Sequence, residues 1–181
     1  FLINPLPQVP GKMLISNRTD KQEFPDAYLY NHAEDRMEKN LPNTDQVTSW
    51  IFDQQGELRL IRKLKSPGET ELFHRRSAEQ EWSLVPLPQE NQVLGFDRSG
   101  DRLYMSYSGE TGQVVFQIFD LEKMRFVGNP VRHPVYSARP RLLRDGPTGA
   151  MVGVVYNWDK PNVVYFDPAY KSIHREVQKV F

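Results

Sequence analysis

Val47–Lys63, V-T-S-W-I-F-D-Q-Q-G-E-L-R-L-I-R-K, reads as a strand, a tight turn and a second strand. Asp53 opens the turn and can accept a hydrogen bond from the backbone two residues on. Gly56, at the fourth position, can take positive φ without steric cost, as a bulged hairpin requires. Apolar, β-branched and aromatic residues flank both sides, the composition of half-buried strands. The core of this stretch recurs. Phe52-Asp53-Gln54-Gln55-Gly56-Glu57 is echoed by Phe96-Asp97-Arg98-Ser99-Gly100-Asp101, and the two glycines lie 100 − 56 = 44 residues apart. A period of about 40–45 residues is that of one four-stranded propeller blade.

Working outward, the second unit spans 47–85, with strands over Val47–Asp53, Glu57–Leu64, Glu71–Arg76 and Trp82–Leu84 and a middle turn at Ser66-Pro67-Gly68. The third spans 92–127, with strands Gln92–Asp97, Arg102–Tyr107, Val114–Asp120 and Met124–Val127. Gly11 lies 56 − 11 = 45 residues before Gly56 and opens a first unit near 11–31, with strands Lys12–Asn17 and Asp26–Asn31. Residues 1–10 hold three prolines and read as a connector or a strand edge. Residues 32–46 are polar and read as a loop with room for one helical turn, crossing to the next blade. The fourth unit, 139–167, carries strands Arg139–Leu143, Met151–Asn157 and Asn162–Phe166; Gly149 stands 49 residues after Gly100, so the spacing stretches there. Asp167-Pro168 then supplies an N-cap and a first helical position. Tyr170, Ile173, Val177, Val180 and Phe181 follow at helical spacing, so a short amphipathic helix is expected over 168–181.

The fold class is therefore all-β: a β-propeller segment of about four antiparallel blades with a short C-terminal helix. One blade buries only part of its faces, and stacking neighbours completes the burial. A β-sandwich has similar strand lengths and turn spacing and is the rival architecture. Open blade edges invite pairing, so self-association of the chain is expected unless a further segment or another copy covers them.

The 181 residues can bury a sizeable core, and 39% hydrophobic with 12% aromatic content is globular. The 23 basic and 23 acidic side chains cancel, so neither nucleic acid nor anionic membrane is an expected partner. No run approaches the apolar length of a membrane span. The chain has no cysteine, which rules out disulfides, thiolate metal sites and a cysteine nucleophile. It begins Phe1-Leu2-Ile3-Asn4-Pro5, which is not a signal peptide and reads as an internal cut of a longer protein or a processed end; the last residues stop in mid-pattern, as a truncation would.

Several segments carry a resemblance when taken in order. Lys12–Asn17 is followed by Arg18 and then Asp26-Ala27-Tyr28-Leu29-Tyr30. Trp50-Ile51-Phe52-Asp53 leads to Gly56-Glu57-Leu58-Arg59, and Glu71–Arg76 precedes Trp82. Val152–Tyr156 precedes Val164-Tyr165-Phe166-Asp167-Pro168. Over roughly residues 10–181 this order is similar to the N-terminal propeller of bacterial prolyl oligopeptidase-family serine peptidases, of the dipeptidyl or acylaminoacyl type. The resemblance implies a propeller that caps an α/β-hydrolase domain and admits short peptides to it. Its implied partners are that hydrolase domain and the peptide substrate passing to it. The nucleophile of such enzymes sits on a G-x-S-x-G elbow. In this chain the only glycines four apart are Gly149 and Gly153, with Met151 between them, so no catalytic residue is assigned. No cofactor or metal is assigned either.

Other candidates have plain structural alternatives. Glu34-Asp35 is an acidic pair that could meet a substrate amine or simply face solvent in a loop. His32, His74, His133 and His174 are far apart, without ligand spacing; His74 reads as a strand-face residue and His174 as a helix-surface one. Trp50 and Trp82 read as packing between blades, whereas Trp158 lies in a turn and could equally line a groove. The basic run Arg139-Pro140-Arg141-Leu142-Leu143-Arg144, with Arg75, Arg76 and Arg132, could hold an anion or a peptide carboxylate. The simpler reading is an edge strand guarded by charge. The expected role is a non-catalytic propeller that supports and gates a serine peptidase domain. The alternatives are a free-standing propeller-type binding module, or a sandwich-type carbohydrate-binding or adhesion module.

Overall fold

A computed structural model of the chain describes residues 2–5, 9–17, 23–53, 55–132, 139–145, 150–157 and 161–180. The chain divides into two compact units, Phe1–Leu87 and Pro88–Phe181.

The first unit holds two antiparallel sheets, each a meander in chain order. One runs β1 (Leu2–Pro5), β2 (Lys12–Asn17), β3 (Asp26–Asn31) and β4 (Arg36–Leu41); the other runs β5 (Val47–Phe52), β6 (Leu58–Ser66), β7 (Glu69–His74) and β8 (Ser83–Leu84). They pack on Leu14, Ala27 and Leu41 from the first sheet and Val47, Leu58 and Ile61 from the second, with Trp50, Phe52, Phe73 and Trp82 around them. One cross-strand row, Trp50–Ile61–Phe73, lies within the second sheet's share of that core. Asn43 ties the crossing between the sheets: its side-chain amide donates to Val47 O (2.7 Å) and accepts from Val47 N–H (2.8 Å), and its own N–H donates to Asp26 Oδ1 (2.7 Å).

The second unit repeats the plan with β9 (Asn91–Phe96), β10 (Arg102–Ser108), β11 (Val114–Asp120) and β12 (Arg125–Val131). Its other sheet has three strands, β13 (Arg141–Arg144), β14 (Met151–Asn157) and β15 (Pro161–Tyr165), followed by α1 (Pro168–Val177). Tyr104 and Phe116 from one sheet meet Val154, Tyr156 and Phe166 from the other. The Phe166 ring stacks on Tyr104 at 4.8 Å and on Phe116 at 5.7 Å. Tyr156 is 1% exposed; its hydroxyl donates to Val131 O (3.4 Å), and burial pushes its pKa up.

The second and third sheets repeat one blade-type plan, and the repeat is written in the backbone. The left-handed residues recur at one period: Gln46 and Glu90 (φ 55° and 53°), Gly56 and Gly100 (82° and 78°), Gly68 and Gly112 (83° and 75°), each pair 44 apart. The hydrogen bonds recur with them. Leu64 N–H donates to Gln46 O (3.0 Å), and Ser108 N–H to Glu90 O (3.3 Å). In these two sheets the second strand is buried on both faces, so Leu58–Ile61 and Leu103–Ser106 are buried without alternation.

Four expectations are corrected. The unit placed near 11–31 is a four-stranded sheet reaching from Leu2 to Leu41. Residues 36–41, read as loop, form β4, and the turn before it matches that before β12. Asn31 and Asp120 each accept local amide protons there; Asp35 and Met124 take φ 48° and 51°; and 120 − 31 = 89 residues is two periods. β12 runs on to Val131 and accommodates Pro130 because it is an edge strand. The helix ends at Val177, and none of its residues is buried. Tyr170 and His174 rest on the Tyr165 ring (6.3 and 5.2 Å), leaving Ile173 and Val177 exposed. Its start is as expected: Asp167 Oδ1 accepts Ala169 N–H (2.8 Å) and Tyr170 N–H (3.3 Å), with Pro168 in the first turn.

Gly56 is constrained twice. Its φ is +82°, and a Cβ there would lie 2.4 Å from Val9 Cγ2; Gly68 has φ +83° with nothing within 4 Å. Gly68→Ala is therefore expected to cost only the left-handed backbone penalty, about 1–2 kcal/mol. Gly56→Ala is expected to add an overpacking cost of about 1–3 kcal/mol. Urea unfolding of the two variants measures the difference; equal losses would show that the Val9 contact carries no weight.

Candidate functional site

Most of the polar side chains that could do chemistry are consumed by turns. Asp53, 6% exposed, directly follows β5. Its Oδ1 accepts Gln55 N–H and Glu57 N–H, both at 2.9 Å, and its Oδ2 accepts Arg59 Nη1 at 3.1 Å. Arg59 also donates Nε–H to Arg75 O (2.9 Å), and its Nη2 lies 3.4 Å from His74 Nε2. Arg75 continues the cluster: Nε–H donates to Leu58 O (3.3 Å), Nη1 to Ala78 O (3.2 Å), and the guanidinium lies 4.4 Å from the Trp82 ring centre. The homologous corner in the third sheet is lighter. Asp97 Oδ1 accepts Gly100 N–H (2.9 Å) and Arg102 N–H (3.2 Å), and Ser99 Oγ donates to the same carboxylate at 3.0 Å. The loop there is one residue longer, since Asp97 N–H reaches Arg102 O whereas Asp53 N–H reaches Glu57 O.

The remaining expected candidates fall in place as follows. Glu34 and Asp35 sit exposed in the β3–β4 turn, where Glu34 pairs with Arg36 Nε (2.6 Å) and Asp35 accepts the Tyr30 hydroxyl. That contact raises the Tyr30 pKa. His32 is exposed in the same turn, His74 is half-buried on β7, and His174 packs on Tyr165. Trp50 and Trp82 are packing residues of the first unit, as expected. His133 and Trp158 lie outside the described residues. Among the described residues no three His, Asp or Glu side chains converge as a metal site. The basic run forms β13, an edge strand flanked by exposed Arg141 and Arg144, which matches the guarded-edge reading. Arg139 stands just before it, and Arg132 follows β12.

Open space is found in each unit. In the first, a cleft of about 170 Å³ is bordered by Leu41, Val47, Trp50, Ile61, Arg75 and Trp82. Another, of about 290 Å³, lies beside Lys12, Glu38 and Gly56. The Lys12 ammonium, 2.6 Å away, and the Asn31 amide hold the Glu38 carboxyl below its ordinary pKa. In the second unit a cleft of about 400 Å³ is bordered by Glu90, Gln92, Ser106, Tyr107, Val114 and Arg139. The basic-run reading named Arg139 without this cleft; Glu90 escaped it altogether, because a single carboxylate in a polar loop carries no sequence signal.

The chain is thus an all-β protein of blade-type antiparallel sheets with one short helix. No family model matches it, and no curated protein does. The β-propeller domain of the Trilobed protease from Pyrococcus furiosus, described as having an open velcro topology, is similar in structure. It shares 9% sequence identity at a TM-score of 0.49, over 86% of this chain and 53% of that one. This chain spans about half the length of that neighbour.

The Asp53–Arg59 pair and the Asp97 corner make a direct comparison. Asp53→Ala removes the counter-charge of the buried Arg59 guanidinium, at an expected cost of about 3–5 kcal/mol. Asp97→Ala removes local amide and hydroxyl bonds and is expected to cost about 1 kcal/mol, as for loss of a helix cap. Chemical denaturation of both variants tests the ranking, and an Asp97→Ala loss as large as that of Asp53→Ala would refute it.

Proposed function

We propose that this chain is a non-catalytic propeller module that supports a serine peptidase domain of the α/β-hydrolase type and limits which peptides reach it. The observation that carries the reading is what occupies the one glycine pair at nucleophile-elbow spacing. Gly153 lies buried in the middle of β14, paired with Tyr165, where a Cβ would meet Val164 O at 2.9 Å. Met151, between the two glycines, starts the same strand and packs over Gly95. An elbow needs a strand-to-helix corner with an exposed serine; Met151–Gly153 instead lie in the central strand of their sheet. The order of strand motifs resembling the propeller of prolyl oligopeptidase-family peptidases supplies the parent class.

A second reading, a propeller-type binding module acting by itself, is favoured by the polar cleft beside Glu90 and Arg139.

Reading the coding frame past Phe181 separates the two. The first reading expects an α/β-hydrolase tract bearing G-x-S-x-G, and no turnover of chromogenic dipeptide or prolyl substrates by the 181-residue chain itself. A stop codon or an unrelated domain there, or turnover that co-purifies with the chain, defeats it.

A further inference from the structure

The blade period supplies an internal control for every residue around the cleft of the second unit. Subtracting 44 maps Glu90, Ser106, Tyr107, Ser108 and Val114 onto Gln46, Arg62, Lys63, Leu64 and Thr70. In the second sheet those positions are filled by long side chains. Arg62 reaches Thr70 Oγ1 (3.2 Å), and Lys63 pairs with Asp45 (2.9 Å). In the third sheet Ser106 stands where Arg62 does and Ser108 where Leu64 does, and both serines border the cleft of about 400 Å³. That size is within the range of small-ligand sites.

Its charges are likewise departures from the repeat. Glu90 has the backbone of Gln46 (φ 53° against 55°) and receives the equivalent hydrogen bond from the end of the second strand, so the fold is satisfied by a neutral amide there. Instead there is a carboxylate, held by Ser108 Oγ, which donates to Oε2 at 2.8 Å. Arg139 stands two residues before the first strand of its sheet, as Asp45 and Gln89 do in theirs, so the repeat does not require a cation at that position either. Arg139 is exposed and carries no ion pair among the described residues. Glu90 and Arg139 border one cleft without neutralising each other.

We propose that this cleft binds a short peptide of two or three residues as its zwitterion, with the ammonium on Glu90 and the carboxylate on Arg139. A guanidinium matches a carboxylate with two parallel hydrogen bonds. The free Oε1 of Glu90 accepts from an ammonium, and the peptide unit lies against the Ser106 hydroxyl, the Gln92 amide and the Val114 methyls. The choice of a peptide over other zwitterions rests on the peptidase-module reading; the clamp itself rests on the two charges.

The test is a titration of the full chain, followed by amide chemical shifts, with Ala-Ala, its N-acetyl form, its C-terminal amide and free alanine. Saturable shifts confined to residues 90–92 and 106–114 are expected with Ala-Ala. Blocking either end should weaken binding about tenfold, the worth of a hydrogen bond to a charged group. Glu90→Gln should abolish the sensitivity to acetylation alone, and Arg139→Gln the sensitivity to amidation alone. Ser108→Leu restores the residue of the second sheet and should remove binding with an unchanged thermal melt. Three results would overturn the proposal: no saturation by roughly 20 mM ligand, where even millimolar binding would be seen; indifference to both end blocks; or free alanine binding as tightly as Ala-Ala. Because the chain alone is titrated and no turnover is read, failure here leaves the coding-frame test intact, and a stop codon there leaves the clamp intact.

Discussion

A meander of four strands in 44 residues reverses direction about every eleven residues, and the tight reversals here are made by a backbone that stands at positive φ. That constraint sets the period of this chain. Gln46, Gly56 and Gly68 in one sheet, and Glu90, Gly100 and Gly112 in another, hold the same left-handed corners. At the first corner a carboxylate, Asp53 or Asp97, collects the amide protons that the turn would otherwise leave without partners. With the corners fixed, register follows, and register decides which residues face a neighbouring sheet. The Trp50–Ile61–Phe73 row and the Tyr104–Phe116–Phe166 stack are consequences of that alignment.

The parts of the fold that were legible were those carried by residue types with one physical use. Gly56 and Gly100 declare positive φ, and Asp167-Pro168 declares a helix start. What was missed lacks such types. β4 is R-M-E-K-N-L, an edge strand with charge along it, so no alternating apolar pattern marks it. Its signal was present at longer range, in Asn31 and Arg36 standing 89 residues before Asp120 and Arg125. The prolines of residues 1–10 left a connector or a strand edge open, and β1 is an edge strand, which tolerates them. The helix was found by its periodicity, but periodicity reports a stripe and not what covers it; Tyr165 and Asp145 meet the helix at Tyr170 and His174, and Ile173 and Val177 remain exposed.

The site was less legible than the fold because its residues are ordinary in type. Arg59 is a charge inside the apolar run Leu58–Ile61, and nothing in that run announces that Asp53 comes back to meet it. Glu90 and Arg139 are 49 positions apart and meet at one cleft only through the sheet topology. What the repeat does allow is subtraction. Where Arg62 and Leu64 become Ser106 and Ser108, a sheet of the same backbone gives up volume and keeps its corners. Conformity to the period marks the residues that build the blade, and departure from it marks those free to serve another purpose.

The account stands on the equivalence of the second and third sheets, and backbone NMR tests that most directly. Three-bond amide–Hα couplings and carbon shifts at residues 46, 56, 68, 90, 100 and 112 report φ at all six corners. The account predicts positive φ at every one, with matching cross-strand contacts Ile61–Phe73 and Met105–Gln117. Negative φ at Glu90 or Gly100, or a register in the third sheet shifted from that of the second, would contradict it.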